Sequence, residues 1–224
     1  RSRILEIAER IDSFGEVVQE ISDDDIARVI DDIAALEPEA ISVCLNFSFV
    51  NDVHERKLGE ALRQKFTDIP VYLSCDVNPE IEEYPRTNTT AIAGYLGPII
   101  DKYLRHLEKD LQDSGVTAPL RLMRSDGGMS TPRAARTNPA TMMLSGPAGG
   151  VIASAYLGQR LEIENLVTFD MGGTSADFST IVGGSPKKVN SRSIDGQPLR
   201  LPTLDIETIS AGGGSIGWID RGGA

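Results

Sequence analysis

Asp170 and Asp177 bracket the segment Met171-Gly172-Gly173-Thr174-Ser175-Ala176, and apolar residues run away from both acids. The pattern predicts a β-hairpin over Val167 to Val182. One strand ends in a carboxylate, two glycines and two hydroxyl residues make the turn, and a second carboxylate opens the next strand. Gly172 and Gly173 permit positive φ and close backbone approach. The turn can therefore present N–H groups to an anion, with Thr174 and Ser175 adding hydroxyl donors. Asp170, at a strand end, can hold a metal ion through water. A grip on nucleotide phosphates without a helix-type P-loop is the chemistry this spacing offers, which makes the chain a candidate ATP-dependent enzyme. An ordinary hairpin with a Gly-Gly turn is the competing reading.

Three more clusters carry weaker signals. Asp126, in Arg124-Ser125-Asp126-Gly127-Gly128, can line a substrate pocket or sit in a type I′ turn. Leu144-Ser145-Gly146-Pro147-Ala148-Gly149-Gly150 can pack between the lobes of a nucleotide cleft, or be a glycine-rich turn into a helix. Gly212, Gly213 and Gly214 can pass beneath a nucleotide, pack two backbones together, or form a flexible loop. His54 and His106 fall on predicted helices amid charges and read as solvent-exposed. Cys44 and Cys75 lie in apolar runs without zinc-ligand spacing and read as buried free thiols. No Ser-His-Asp triad, cysteine nucleophile or His-rich metal site has usable spacing.

The elements that must position these groups follow from periodicity. Ile4 to Val18 predicts a hairpin around Asp12-Ser13-Phe14-Gly15. Ser22 caps a helix whose first turn holds Asp23, Asp24 and Asp25, and which ends before Pro38. Ala40 to Phe49 predicts a strand buried on both faces. Asn51-Asp52 starts a second helix to about Phe66, and Pro70 to Cys75 predicts another strand. This order implies a parallel α/β layer. A long helix over Asn88 to Asp113 places Ile92, Leu96, Ile99, Tyr103, Leu107 and Leu111 on one face, with Pro98 as a kink. Leu120 to Met123 predicts a short strand, and Val151 to Leu157 a small-residue helix. After Gly183-Gly184 the chain becomes β-rich. A change of texture near 76–86 divides the chain into residues 1–80 and 81–224.

The bulk composition excludes more than it selects. The 224 residues carry a net charge of −11, 40% hydrophobic and 25% charged residues. That charge argues against nucleic acid or an anionic membrane as partner. No stretch reaches the ~20 apolar residues of a membrane span, and the opening lacks a signal-peptide core, so the expectation is a cytoplasmic protein. The chain has no initiator Met and stops at Gly222-Gly223-Ala224, which reads as an excised or engineered fragment.

Five segments occur in order: Glu83-Tyr84-Pro85-Arg86-Thr87-Asn88-Thr89-Thr90, Ser125-Asp126-Gly127-Gly128, Leu144 to Gly150, Phe169 to Asp177, and Ala211 to Ile216. Together they resemble the hydantoinase A / 5-oxoprolinase family, as does Val43 to Arg56. The resemblance implies an actin/sugar-kinase/heat-shock-ATPase-like (ribonuclease H-like) α/β fold with two lobes around a nucleotide cleft. It assigns 1–80 to the end of an N-terminal region and 81–224 to the start of the catalytic core. It implies ATP and Mg²⁺ as cofactors. Asp170 would then hold Mg²⁺ through water, and Gly172, Gly173, Thr174, Ser175 and Gly212 to Gly214 would surround the nucleotide. Asp177 and Asp126 are further catalytic candidates, and the Thr87–Thr90 region a weaker substrate-side one. The implied activity is ATP-driven opening of a cyclic amide such as N-methylhydantoin or 5-oxoproline. The alternatives are an ATP-binding subunit of an acetone- or acetophenone-carboxylase-like complex, which would take a ketone, and a noncatalytic nucleotide-binding scaffold lobe. A hydantoinase B-type subunit and a homo-oligomer are the implied partners. Two departures stand out: Asp126 where many members carry Asn, and Ala176 where many carry Thr. The first Asp-Gly-Gly-Thr hairpin of the family lies outside this chain, which leaves one jaw of a two-jawed phosphate clamp and an expectation of little or no catalysis by this piece alone.

Overall fold

The computed structural model describes residues 3–194 and 196–219. The chain divides into two units, neither continuous in sequence. The first comprises Arg1–Leu122, Ser130–Thr141 and Ser191–Leu201; the second comprises Met123–Met129, Met142–Asn190 and Pro202–Ala224.

In the first unit, β1 (Arg10–Ile11) and β2 (Val17–Gln19) form the expected antiparallel hairpin. Helix α1 (Asp23–Ala34) begins where the Asp25 N–H donates to Ser22 Oγ at 3.0 Å. Strand β3 (Ile41–Val43), helix α2 (Val53–Lys65) and strand β4 (Val71–Leu73) follow, and β3 pairs with β4 in parallel. The α/β layer is thus as the pattern predicts, but β3 is much shorter than Ala40 to Phe49. Its continuation turns instead, with Phe47 at φ 57°. Asp52 is the N-cap of α2 but its side chain makes no capping bond; Asn51 Oδ1 accepts from the Val53 N–H at 3.2 Å instead. Ile26, Val29, Ile33, Ile41, Val43, Leu58, Leu62 and Leu73 close the core between helices and strands.

A short helix α3 (Ser74–Val77) precedes α4, which runs Glu83–Asp113, five residues earlier than its periodicity suggests. Its buried face also differs from the apolar stripe. Arg86, Thr89, Thr90, Ala93, Gly94, Gly97 and Leu104 are buried, while Ile99 and Tyr103 are more than half exposed. Small residues win because the helix lies directly on β3 and β4. A Cβ at Gly94 would strike Ser42, and one at Gly97 would strike Tyr72. Helix α5 (Pro132–Thr137) is tied to α4 by Arg136, whose guanidinium lies 2.7 Å from both Asp101 and Glu108.

In the second unit, α6 spans Ser145–Arg160. The helix therefore starts inside the Leu144 to Gly150 cluster rather than after it. Leu144 takes a left-handed turn at φ 56° to enter it. Strands β5 (Leu166–Met171), β6 (Ala176–Val182) and β7 (Ile206–Ile209) form an antiparallel sheet with β6 in the centre. Ala148 and Val151 of α6 pack on Ile181 and Ile206. The other face of the sheet is open: Val167, Phe169, Met171, Val182 and Ile209 are all exposed.

Candidate functional site

The β5–β6 hairpin forms as expected, and its register decides the site. Asp170 stands directly opposite Asp177, and Met171 opposite Ala176. On the other side of β6, Thr208 of β7 is opposite Asp177. Directly opposed residues of an antiparallel pair share a face, so Asp170, Asp177 and Thr208 form one transverse row near the turn. Two carboxylates opposite each other repel. Among the described residues, neither has a hydrogen bond or ion pair to a cationic side chain. The Asp170 carboxylate has no hydrogen-bonding partner there, while that of Asp177 accepts from the Thr208 hydroxyl. A divalent cation held through water fits this arrangement, since it would relieve the repulsion without displacing a resident partner.

The turn itself is closed by one bond, from the Gly172 N–H to the Ser175 carbonyl at 2.9 Å. The amides of Gly173 and Thr174 engage no acceptor among the described residues, and a Cβ added at Gly173 would meet open space. Both residues are exposed. Unpaired amides in a glycine turn make a concavity suited to phosphate oxygens, so a nucleotide phosphate also fits.

Gly212 is buried, while Gly213 and Gly214 are exposed. The Gly213 N–H donates to the Gly172 carbonyl at 2.9 Å and the Gly214 N–H to the Gly173 carbonyl at 3.3 Å. A Cβ on Gly212 would fall 2.5 Å from both Gly173 C and Thr174 N. At Gly212, backbone packs directly on backbone. The glycines take up the turn's carbonyls, while the Gly173 and Thr174 amides keep no acceptor among the described residues.

Asp126 serves a different local structure. The Gly127 N–H bonds the Arg124 carbonyl and the Arg124 N–H bonds the Gly128 carbonyl, at 3.0 and 2.8 Å. Only Gly127, at φ 80°, has a positive φ, so the turn is not type I′. The Asp126 carboxylate accepts from the Gly128 N–H at 2.9 Å and pairs with Arg124 at 3.0 Å. Among the described residues it shares no hydrogen bond with the hairpin acids. The Thr87–Thr90 region is likewise occupied: the Thr89 and Thr90 hydroxyls donate to the carbonyls of Pro85 and Arg86, at 2.7 and 2.8 Å.

Other charged groups, all in the first unit, sit where sequence reasoning did not place them. His54 is buried, with Nδ1 2.7 Å from Glu9 and Nε2 3.3 Å from Glu20. The acids that enclose it come from the β1–β2 region, which a helical reading of α2 alone cannot supply. His106 is exposed as expected. Glu55 is fully buried and accepts from Leu45 N–H, the Ser74 hydroxyl and Cys75 N–H at 2.7, 2.7 and 2.9 Å. Arg86 is buried, with no carboxylate paired to it among the described residues. It donates to the Glu80 and Leu45 carbonyls at 3.1 and 2.8 Å and lies 5.1 Å from the Phe49 ring centre. Cys44 and Cys75 are free thiols but only partly buried. Burial, together with the charge of Glu55, pushes the Cys75 thiol up to about 12. Among the described residues no three acidic, histidine or cysteine side chains cluster as a metal site, and no helix is long and apolar enough to cross a membrane.

Residues 86–224 match the Hydantoinase/oxoprolinase family and residues 1–66 match its N-terminal region. Caprolactamase subunit alpha of Pseudomonas jessenii is 30% identical over 214 residues, covering 96% of this chain and 31% of that one. 5-Oxoprolinase 1 of Arabidopsis thaliana is 36% identical over 177 residues, covering 78% and 14%. A nucleotide-free structure of an acetone carboxylase, solved to study ATP-dependent acetone carboxylation, superposes with a TM-score of 0.81 at 30% identity, over 96% of this chain and 31% of its own. The chain spans about a third of the length of the first curated relatives it matches.

Proposed function

Since the chain belongs to the Hydantoinase/oxoprolinase family, we propose that it is part of an ATP-dependent enzyme that opens a cyclic amide of the N-methylhydantoin or 5-oxoproline type. The observation that carries the proposal is the hairpin end, where two amides without an acceptor adjoin two carboxylates with no cationic partner among the described residues. Relatives named caprolactamase and 5-oxoprolinase support a cyclic amide as substrate. The fold we assign is the actin/sugar-kinase/heat-shock-ATPase type, with residues 1–80 ending the N-terminal region and 81–224 opening the core.

Amide resonance makes direct ring opening slow. Transfer of the γ-phosphoryl group to the carbonyl oxygen gives water an electrophilic carbon to attack; the ring C–N bond then breaks as the nitrogen takes a proton, and a second water hydrolyses the resulting acyl phosphate to carboxylate and phosphate. In this chain the Gly173 and Thr174 amides bind phosphate oxygens, already oriented before the charge develops. Asp170 and Asp177 would hold Mg²⁺ through water, and the ion would supply neutralisation of phosphate charge. Gly212 to Gly214 hold the turn rather than touch the nucleotide. Asp126 acts with Arg124 on the substrate side.

The experiment is ATP hydrolysis by the full-length protein with a panel of lactams, hydantoins and ketones, comparing wild type with Asp170→Ala. Loss of hydrolysis supports the assignment, and normal turnover in the variant refutes it. Hydrolysis stimulated by ketones alone would instead favour a carboxylase-type subunit, consistent with the acetone carboxylase relative. A partner of the hydantoinase B type would show as activity that requires a second chain.

A further inference from the structure

We propose that Thr208 is a positioning residue for the phosphate site, fixing the Asp177 carboxylate through its hydroxyl; this rests on the function proposed above. The Thr208 hydroxyl donates to Asp177 Oδ1 from the neighbouring strand. An ionised carboxylate only accepts, so the direction of this bond is set. Asp177 faces Asp170 across the β5–β6 pair, and repulsion between the two would turn Asp177 away from any shared ion. The hydroxyl holds one oxygen and leaves the second available. A β-branched residue suits a strand on packing grounds alone, so the hydroxyl, not the side-chain shape, carries the information. Thr208 lies 31 residues from Asp177 in sequence, which hides the pairing from any motif.

Outer-shell partners of this kind typically alter metal affinity by about 10- to 100-fold when removed. The test uses the full-length protein with ADP and Mn²⁺ as probe, free Mn²⁺ being read by electron paramagnetic resonance. Thr208→Val keeps the branch and removes the donor; Thr208→Ser keeps the donor. The inference expects Mn²⁺ affinity to fall about 10-fold in Thr208→Val and to return in Thr208→Ser, with both variants melting near wild type. Unchanged Mn²⁺ affinity in Thr208→Val, alongside weakened binding in Asp177→Asn, overturns this inference and leaves the proposed function standing. Unchanged affinity in both Asp170→Asn and Asp177→Asn overturns the proposed function and this inference with it.

Discussion

Replacing Gly212 with alanine tests whether the triple glycine holds the turn. The backbone at Gly212 has no positive φ, so alanine meets no conformational penalty there. What it meets is main chain: the new Cβ lies 2.5 Å from Gly173 C and Thr174 N, where ordinary contact begins near 3.4 Å. The two backbones must separate by about 0.9 Å, and neither neighbour is a flexible side chain. Overpacking of this kind costs about 1–3 kcal/mol. Loss of the bonds from Gly213 and Gly214 to the turn carbonyls adds about 1 kcal/mol each. Displacement of a positioning group by about 1 Å can lower activity about 100-fold. Gly213→Ala supplies the control, because its Cβ would lie 3.7 Å from the nearest atom. In the full-length protein, denaturant unfolding and calorimetric titration with Mg-ADP should separate the two. Gly212→Ala should be destabilised and bind nucleotide weakly, and Gly213→Ala should match wild type in both. Equal behaviour of the two variants would refute the bracing role.

The remaining expectations concern the first unit. Arg136 holds Glu108 below the usual carboxylate range by its hydrogen bond; for Asp101, burial pushes upward and is outweighed by Arg105 and Arg136. These depressed values contribute stability above the ordinary values of 3.8 and 4.5 and lose it as pH falls through the folded ones. Arg136→Leu should therefore cost about 1 kcal/mol at pH 7, with the deficit shrinking toward pH 3 in urea titrations. Cys75, with its thiol pushed to about 12, should resist iodoacetamide at pH 8 until the chain is unfolded, as mass mapping would read. Arg86→Met should destabilise by about 2 kcal/mol or more, because the Leu45 and Glu80 carbonyls lose their donor. Thermal melting checks this, and an unchanged melting temperature would contradict it.

The hairpin was legible because everything that makes it lies within one short stretch: alternation, glycines and flanking acids. What the stretch could not disclose is its surroundings. Thr208 and Gly212 reach Asp177 and Gly173 across strands, and cross-strand register is not written in local spacing. Helix α4 was misjudged for a related reason. A hydrophobic stripe predicts burial only where helix and sheet stand apart; here close approach selects Ala93, Gly94 and Gly97, and Ile99 and Tyr103 turn outward. His54 looked exposed because its helix neighbours are polar, yet its partners Glu9 and Glu20 come from an earlier hairpin.

The open face of the β5–β6–β7 sheet has a practical consequence for anyone handling this chain by itself. Val167, Phe169 and Met171 project from β5, which among the described residues pairs with a strand on one side only. An edge that offers both unpaired backbone and adjacent aromatic and branched side chains recruits other strands. Concentration, rather than temperature, should therefore limit how long such a preparation stays monodisperse. A lysine at Val167, on the outward face and at the far end of β5 from Gly172, would add a gatekeeping charge while leaving the turn as it is.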